Sequence, residues 1–146
     1  MAVLVAAHAA STLFMVGMIW TIQVVHYPLF ASVGLDEFPA YEAAHSARIT
    51  WVILIPWAVQ GLTTLALLVA PPDGVPRWLP WAGAVLAAIP VLVTIVASVP
   101  AHSVLTNGFD ADAHARLVNT NWLRTLAWSG HGVVATVIAV LALRGR

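Results

Sequence analysis

Six histidines sit in a chain with only six acidic and six basic side chains. His26, His45, His102 and His114 all fall in two stretches that separate long apolar runs. Neutral imidazole is the commonest side-chain metal ligand. Glu42 and His45 stand three residues apart, which puts a carboxylate and an imidazole on one face of a helix. Di-iron carboxylate bundles are built from that pairing, but they need two such units and two further Glu. Only Glu37 is left over here, so a histidine-dominated site is favoured. His26, His45 and His102 are the expected metal ligands, with Glu42 or His114 completing the shell or moving protons. Copper or iron is expected ahead of zinc, although ligand type alone does not choose among them. The plainer alternative is that these histidines are wet, interfacial side chains with no joint role. Four on one face weigh against it.

Other residues fit around such a centre. Tyr27, Trp51 and Trp122 could line a flat substrate slot. Arg124 lies about one turn inside an apolar run, where a charge is costly unless paired or snorkelling. It could pair with Glu42, Asp110 or Asp112, or hold an anionic substrate group with Asn121. Several chemistries are excluded. The chain has no Lys, so no Schiff-base cofactor, and no Cys, so no thiolate catalysis and no cysteine-ligated zinc or iron–sulfur site. A net charge of zero offers nothing to a nucleic acid.

These residues must be positioned by a membrane scaffold. The 146-residue chain is 61% hydrophobic and 8% charged, against about 45–50% and about 25% in soluble domains. A spanning helix needs about 20 apolar residues. Apolar runs, charge-free but for Arg124, supply four, over about 3–26, 49–70, 78–99 and 122–143, in one transmembrane domain. The expected fold is all-α, a four-helix bundle in two hairpin-like halves. Residues 27–48 and 101–121 form long connections on one face. The termini and the Pro/Gly-rich turn at 70–77 lie on the other. Asp36 could cap a helix with Pro39 in its first turn, and Asp110 or Asp112 another. Arg77, Arg144, Arg146 and the amino terminus are set against Arg48, Arg116 and Arg124 on the other side, a near balance that the short turn and tail tip toward cytoplasmic termini in a bacterial inner membrane. Most of the seven Trp fall near span ends, as an aromatic belt requires.

The two halves hint at a repeat. Setting Gly34 over Gly108 places Asp36 on Asp110, and His26 and His102 each close a span. Two histidines stand apart. At about 1.5 Å per residue, His8 lies roughly 8 Å and His131 roughly 18 Å above the terminal face, which argues against a haem between them. For His131, Gly130 and Gly132 suggest a close helix contact, with Thr94, Ser98 or Gln23 as a polar partner.

Gln23-Val-Val-His26-Tyr27-Pro28-Leu29-Phe30, the run from Gly34 through Glu37, Phe38 and Tyr41 to His45, and Asn121-Trp122-Leu-Arg124-Thr125 together resemble a group of small bacterial four-helix membrane proteins. That resemblance covers nearly the whole chain and implies an architecture without an activity. The Asn121 to Thr125 segment is also similar to the anthrone-oxygenase-like membrane proteins of polyketide pathways. This implies oxidation of a flat aromatic or quinol-like substrate with dioxygen. The expected function is a metal-dependent oxidoreductase or oxygenase acting on a lipophilic small molecule that enters from the bilayer. The alternative is an accessory subunit, or a metal or cofactor chaperone, of a larger membrane complex; homo-oligomers fit either. A transporter ranks last, because only Gln23 and His131 sit mid-membrane and no chain of carboxylates forms a relay.

Overall fold

In lipid a backbone must satisfy its own hydrogen bonds, and the apolar runs do so as helices. The structure is a computed structural model describing residues 1–145. It is all-α, with four helices each long and apolar enough to cross a membrane: α1 Ala2–Ser32, α2 Phe38–Val69, α3 Trp78–Leu105 and α4 Ala111–Arg144. No strand occurs among the described residues. The two stretches expected as long connections are mostly helix. Only 33–37 and 106–110 link the helices on that face, because the amphipathic segments at 38–48 and 111–121 run straight into the following spans. Asp110 caps α4, its side chain accepting from the Ala113 N–H at 2.7 Å. Asp36 caps nothing; α2 starts after Glu37, with Pro39 in its first turn.

α1 and α4 form the middle of the bundle. α1 packs on α2 and α4, α4 packs on α3, and of the neighbouring pairs α2 and α3 are the most loosely joined. Lipid tails are as apolar as the helices, so close packing and polar contacts decide association. A Cβ on Gly132 would come within 3.0 Å of Val16, so glycine lets α1 and α4 approach there. Interhelical hydrogen bonds, each worth about 0.6 kcal/mol on average, join Trp20 to Ser129 and Trp128 to Gln60.

Both odd-numbered helices carry the same irregularity. α1 has a π turn at Ile22–His26 just before Pro28, and α3 has one at Thr94–Ser98 just before Pro100. Proline lacks an N–H and crowds the carbonyl one turn back, and a π turn absorbs that. Each half therefore reads as span, π turn, proline, short link and long helix. The order is the same as in the Gly-x-Asp alignment, but the π turns and prolines lie 72 residues apart where the Gly and Asp pairs lie 74 apart.

Candidate functional site

The π turn of α1 delivers His26 and Tyr27 to the end of the bundle, and α2 brings Glu42 and His45 one helical turn apart. Just beyond its own π turn, α3 supplies His102. These five side chains form a connected polar cluster. His26 Nε2 and His45 Nδ1 share a hydrogen bond of 2.8 Å. The His45 and His102 rings stack with centroids 5.3 Å apart. His102 Nδ1 donates to Glu42 Oε1 at 2.5 Å, and the Tyr27 hydroxyl meets His102 Nε2 at 3.1 Å. Glu42 is fully buried, and Ser46 also donates to its Oε1, at 3.1 Å. Its Oε2 has no partner among the described residues.

The carboxylate–imidazole–phenol order has a chemical consequence. A carboxylate accepts only, so it fixes the proton on His102 Nδ1. Nε2 is left with a lone pair, and Tyr27 donates to it. A carboxylate behind an imidazole in this way fixes its orientation and tautomer, whether the front nitrogen takes a proton or a metal.

The three expected ligands gather, but as a hydrogen-bonded series rather than around one point. Among the described residues, no group of three or more His, Asp or Glu is set to hold a metal ion. Two imidazole nitrogens on one tetrahedral metal stand roughly 3.3 Å apart, given bonds of about 2.0–2.1 Å. The 2.8 Å between His26 and His45 is a hydrogen-bond separation.

The remaining expected site residues divide. His114 lies beside the cluster: its Nε2 donates to the Tyr27 carbonyl at 2.8 Å, and its ring packs on Phe109 and Phe30. That carbonyl also accepts from the Phe30 N–H, so His114 adds a second tie at the end of α1. Arg124 pairs with none of the suggested carboxylates. Its Nη1 donates to Asn121 Oδ1 at 3.1 Å and Ser98 Oγ at 3.3 Å, and its guanidinium lies 5.4 Å from the Trp128 ring centroid. Asn121 is a buried support rather than a substrate contact: its Nδ2 donates to Gln23 Oε1 at 2.8 Å. Two aromatic assignments are corrected. Trp51 is 76% exposed on the outside of α2, and Trp122 packs edge-on against Trp20 at 5.8 Å. Neither lines a cleft at the histidines. Helical phase turns them outward, where a tryptophan meets the lipid interface.

The cluster opens into two clefts. One of about 250 Å³ lies beside His26, Tyr41, His45 and Arg48. The other, about 380 Å³, lies in the loose α2–α3 seam beside Tyr27, His45, His102 and Arg124. Its hydroxyl-bearing walls, including Thr94 and Ser98, were not anticipated. No single residue signalled them, although Ser and Thr in an apolar span often face a partner helix.

A second buried pair lies deeper. His8 and His131 meet edge to face, centroids 5.2 Å apart. His8 Nδ1 donates to Thr63 Oγ1 at 3.0 Å, and His131 Nδ1 donates to the Gly83 carbonyl at 2.7 Å, not to Thr94, Ser98 or Gln23. Counting backbone rise had set the two histidines apart. It located the Cα atoms, whereas a ring lies several ångströms from its own Cα, and two rings can close such an offset.

The chain matches no protein-family model, and comparison with curated proteins and with solved structures gives no match.

Proposed function

We propose that the chain is a membrane-embedded, metal-dependent oxidoreductase whose site is the His26–His45–His102 cluster. Its substrate is a lipophilic, quinol-like small molecule that arrives from the bilayer. The carrying observation is the buried Glu42–His102–Tyr27 series, set beside the His26–His45 pair and open to the α2–α3 seam. A bystander array of interfacial histidines has no need of a fully buried carboxylate behind one of them.

A copper or iron ion held by His26, His45 and His102 would give substrate electrons a route to dioxygen, the oxidant. Its entry requires the two hydrogen-bonded imidazoles to part by about half an ångström and Tyr27 to give up His102 Nε2. Oxidising a quinol to a quinone releases two electrons and two protons. Dioxygen would take both electrons and, in the end, both protons, leaving as hydrogen peroxide. With His102 Nε2 on the metal and its Nδ1 proton held by Glu42, the freed Tyr27 hydroxyl would be the group placed to relay one proton. The unpartnered Oε2 of Glu42 is a second acceptor. The setting we propose is a bacterial inner membrane with cytoplasmic termini.

The test is elemental mass spectrometry on protein extracted gently, without a histidine tag or chelator. About one or two equivalents of copper or iron, lost in His26→Ala, His45→Ala and His102→Ala, support the reading. Folded, metal-free protein that takes up neither metal on addition would overturn it, and partners retained in the same extract would then point to the accessory-subunit alternative.

A further inference from the structure

Arg124 is 6% exposed, a permanent charge held inside the bundle. Its partners are neutral: Asn121, Ser98 and the face of Trp128. No carboxylate pairs with it among the described residues, since Glu42 is engaged by His102 and Ser46. Its Nε–H is buried without a partner. An uncompensated charge and an unused donor in apolar surroundings are both costly. Inside a membrane such a residue marks a functional site by default.

Two residues that carry such unused atoms line one cleft. Arg124 lines the cleft in the α2–α3 seam, and so does Thr94, whose Oγ1 is also buried without a partner. The cleft has apolar walls at Ile49, Ile53 and Val99, with Val99 itself exposed at the outer surface. Its volume of about 380 Å³ falls in the range of about 300–1,000 Å³ typical of small-molecule sites. We infer that this cleft binds an acidic lipophile, with one anionic oxygen group on Arg124 and Thr94 and its apolar body lying along the α2–α3 seam toward the bilayer. The role of such a molecule as substrate rests on the function proposed above; its binding does not.

The same chemistry occurs in a free acid and in an anionic phospholipid, so the experiment carries both. Metal-stripped protein is placed in phosphatidylcholine nanodiscs and titrated with dibromostearate or with dibromostearyl alcohol. Bromine quenches tryptophan fluorescence over a short range that does not require direct contact. Trp128 lies under Arg124, with Trp57 against it at 5.6 Å. Excess unbrominated stearate separates a saturable site from partition into lipid. A second series replaces part of the lipid with brominated phosphatidylglycerol. The expected result is saturable, competed quenching by the acid, at least tenfold weaker for the alcohol. It is lost in Arg124→Gln and weakened several-fold in Thr94→Val. Saturable quenching by phosphatidylglycerol alone assigns the site to a bilayer lipid and still upholds the anionic site. Equal quenching by acid and alcohol, or no saturation with any anion, overturns it. That comparison uses the unaltered protein, so it stands even if Arg124→Gln fails to fold. Because the metal is absent throughout, failure here leaves the metal proposal standing, and the reverse also holds.

Discussion

Glu42 dictates the tautomer of His102. Its Oε1 takes the Nδ1 proton at 2.5 Å, so Nε2 faces the Tyr27 hydroxyl as a base. The pair joins α2 to α3 across the seam where those helices otherwise touch least. One bond thereby sets both the chemistry of the site and the width of the cleft beside it.

Glu42→Gln tests that link with almost no change in shape. The amide keeps an oxygen for His102 but loses the charge that strengthens the bond. Outer-sphere partners of metal-bound histidines contribute about 10–100-fold in affinity. The substitution is expected to weaken copper or iron binding by that factor while leaving the helical circular dichroism unchanged. Competition against a chromophoric chelator reads it. Unaltered affinity would detach Glu42 from the metal site.

Asn121 predicts a stability effect instead. It joins Arg124 to Gln23, and Gln23 Oε1 also accepts from Thr125. Asn121→Leu would strip the guanidinium of one acceptor and Gln23 of one donor, in a place water does not reach. Leaving buried partners unsatisfied costs about 1–3 kcal/mol. Thermal unfolding in detergent should therefore drop clearly. Trp51→Leu, on the exposed outer face of α2, should leave it within error.

Much of this frame was legible in the sequence. Charge-free runs reveal spans, and His26, His45 and His102 were grouped simply because each sits at the same end of one. The inward and outward faces were not legible. Helices in lipid are apolar on both sides, so hydropathy does not show which way Trp51 or Trp122 turns. Nor did the sequence reveal the π turns. Each adds about a residue to its helix, and so it changes which side chains follow on the inner face. The surroundings of Arg124 were only half legible: Asn121 stands three residues before it on α4, but Ser98 comes from α3 and meets it only through packing.

His8 and His131 should be coupled energetically. Their rings touch, and each is tied to a different neighbour, Thr63 on α2 and Gly83 on α3. Residues in contact give interaction energies of about 0.5–3 kcal/mol in double-mutant cycles. His8→Leu and His131→Leu are each expected to destabilise, with the double variant departing from their sum by at least 0.5 kcal/mol. Strict additivity would mean that the contact carries no energy.

The π turn at Ile22–His26 gives the most direct test of how the backbone builds the site. Gln23, in the turn, reaches α4 through Asn121, while His26, at its end, reaches α2 through His45. Val25 between them is half exposed to lipid and makes no hydrogen bond through its side chain. A π turn takes up one residue more than an α turn, so the helix beyond it keeps its direction when that residue is removed. Deleting Val25 should therefore leave regular α-helix with His26 still directed at His45. Deleting Gly17 instead, in the regular part of α1, has no such slack and should turn everything after it by about 100°. Packing along Val5 to Met15 anchors the first part of α1 in the bundle core, so His26 is the side expected to swing away. The Gly17 deletion should insert and remain helical yet lose metal as completely as His26→Ala, while the Val25 deletion keeps it. Equal loss in both would mean that the turn does not absorb the extra residue.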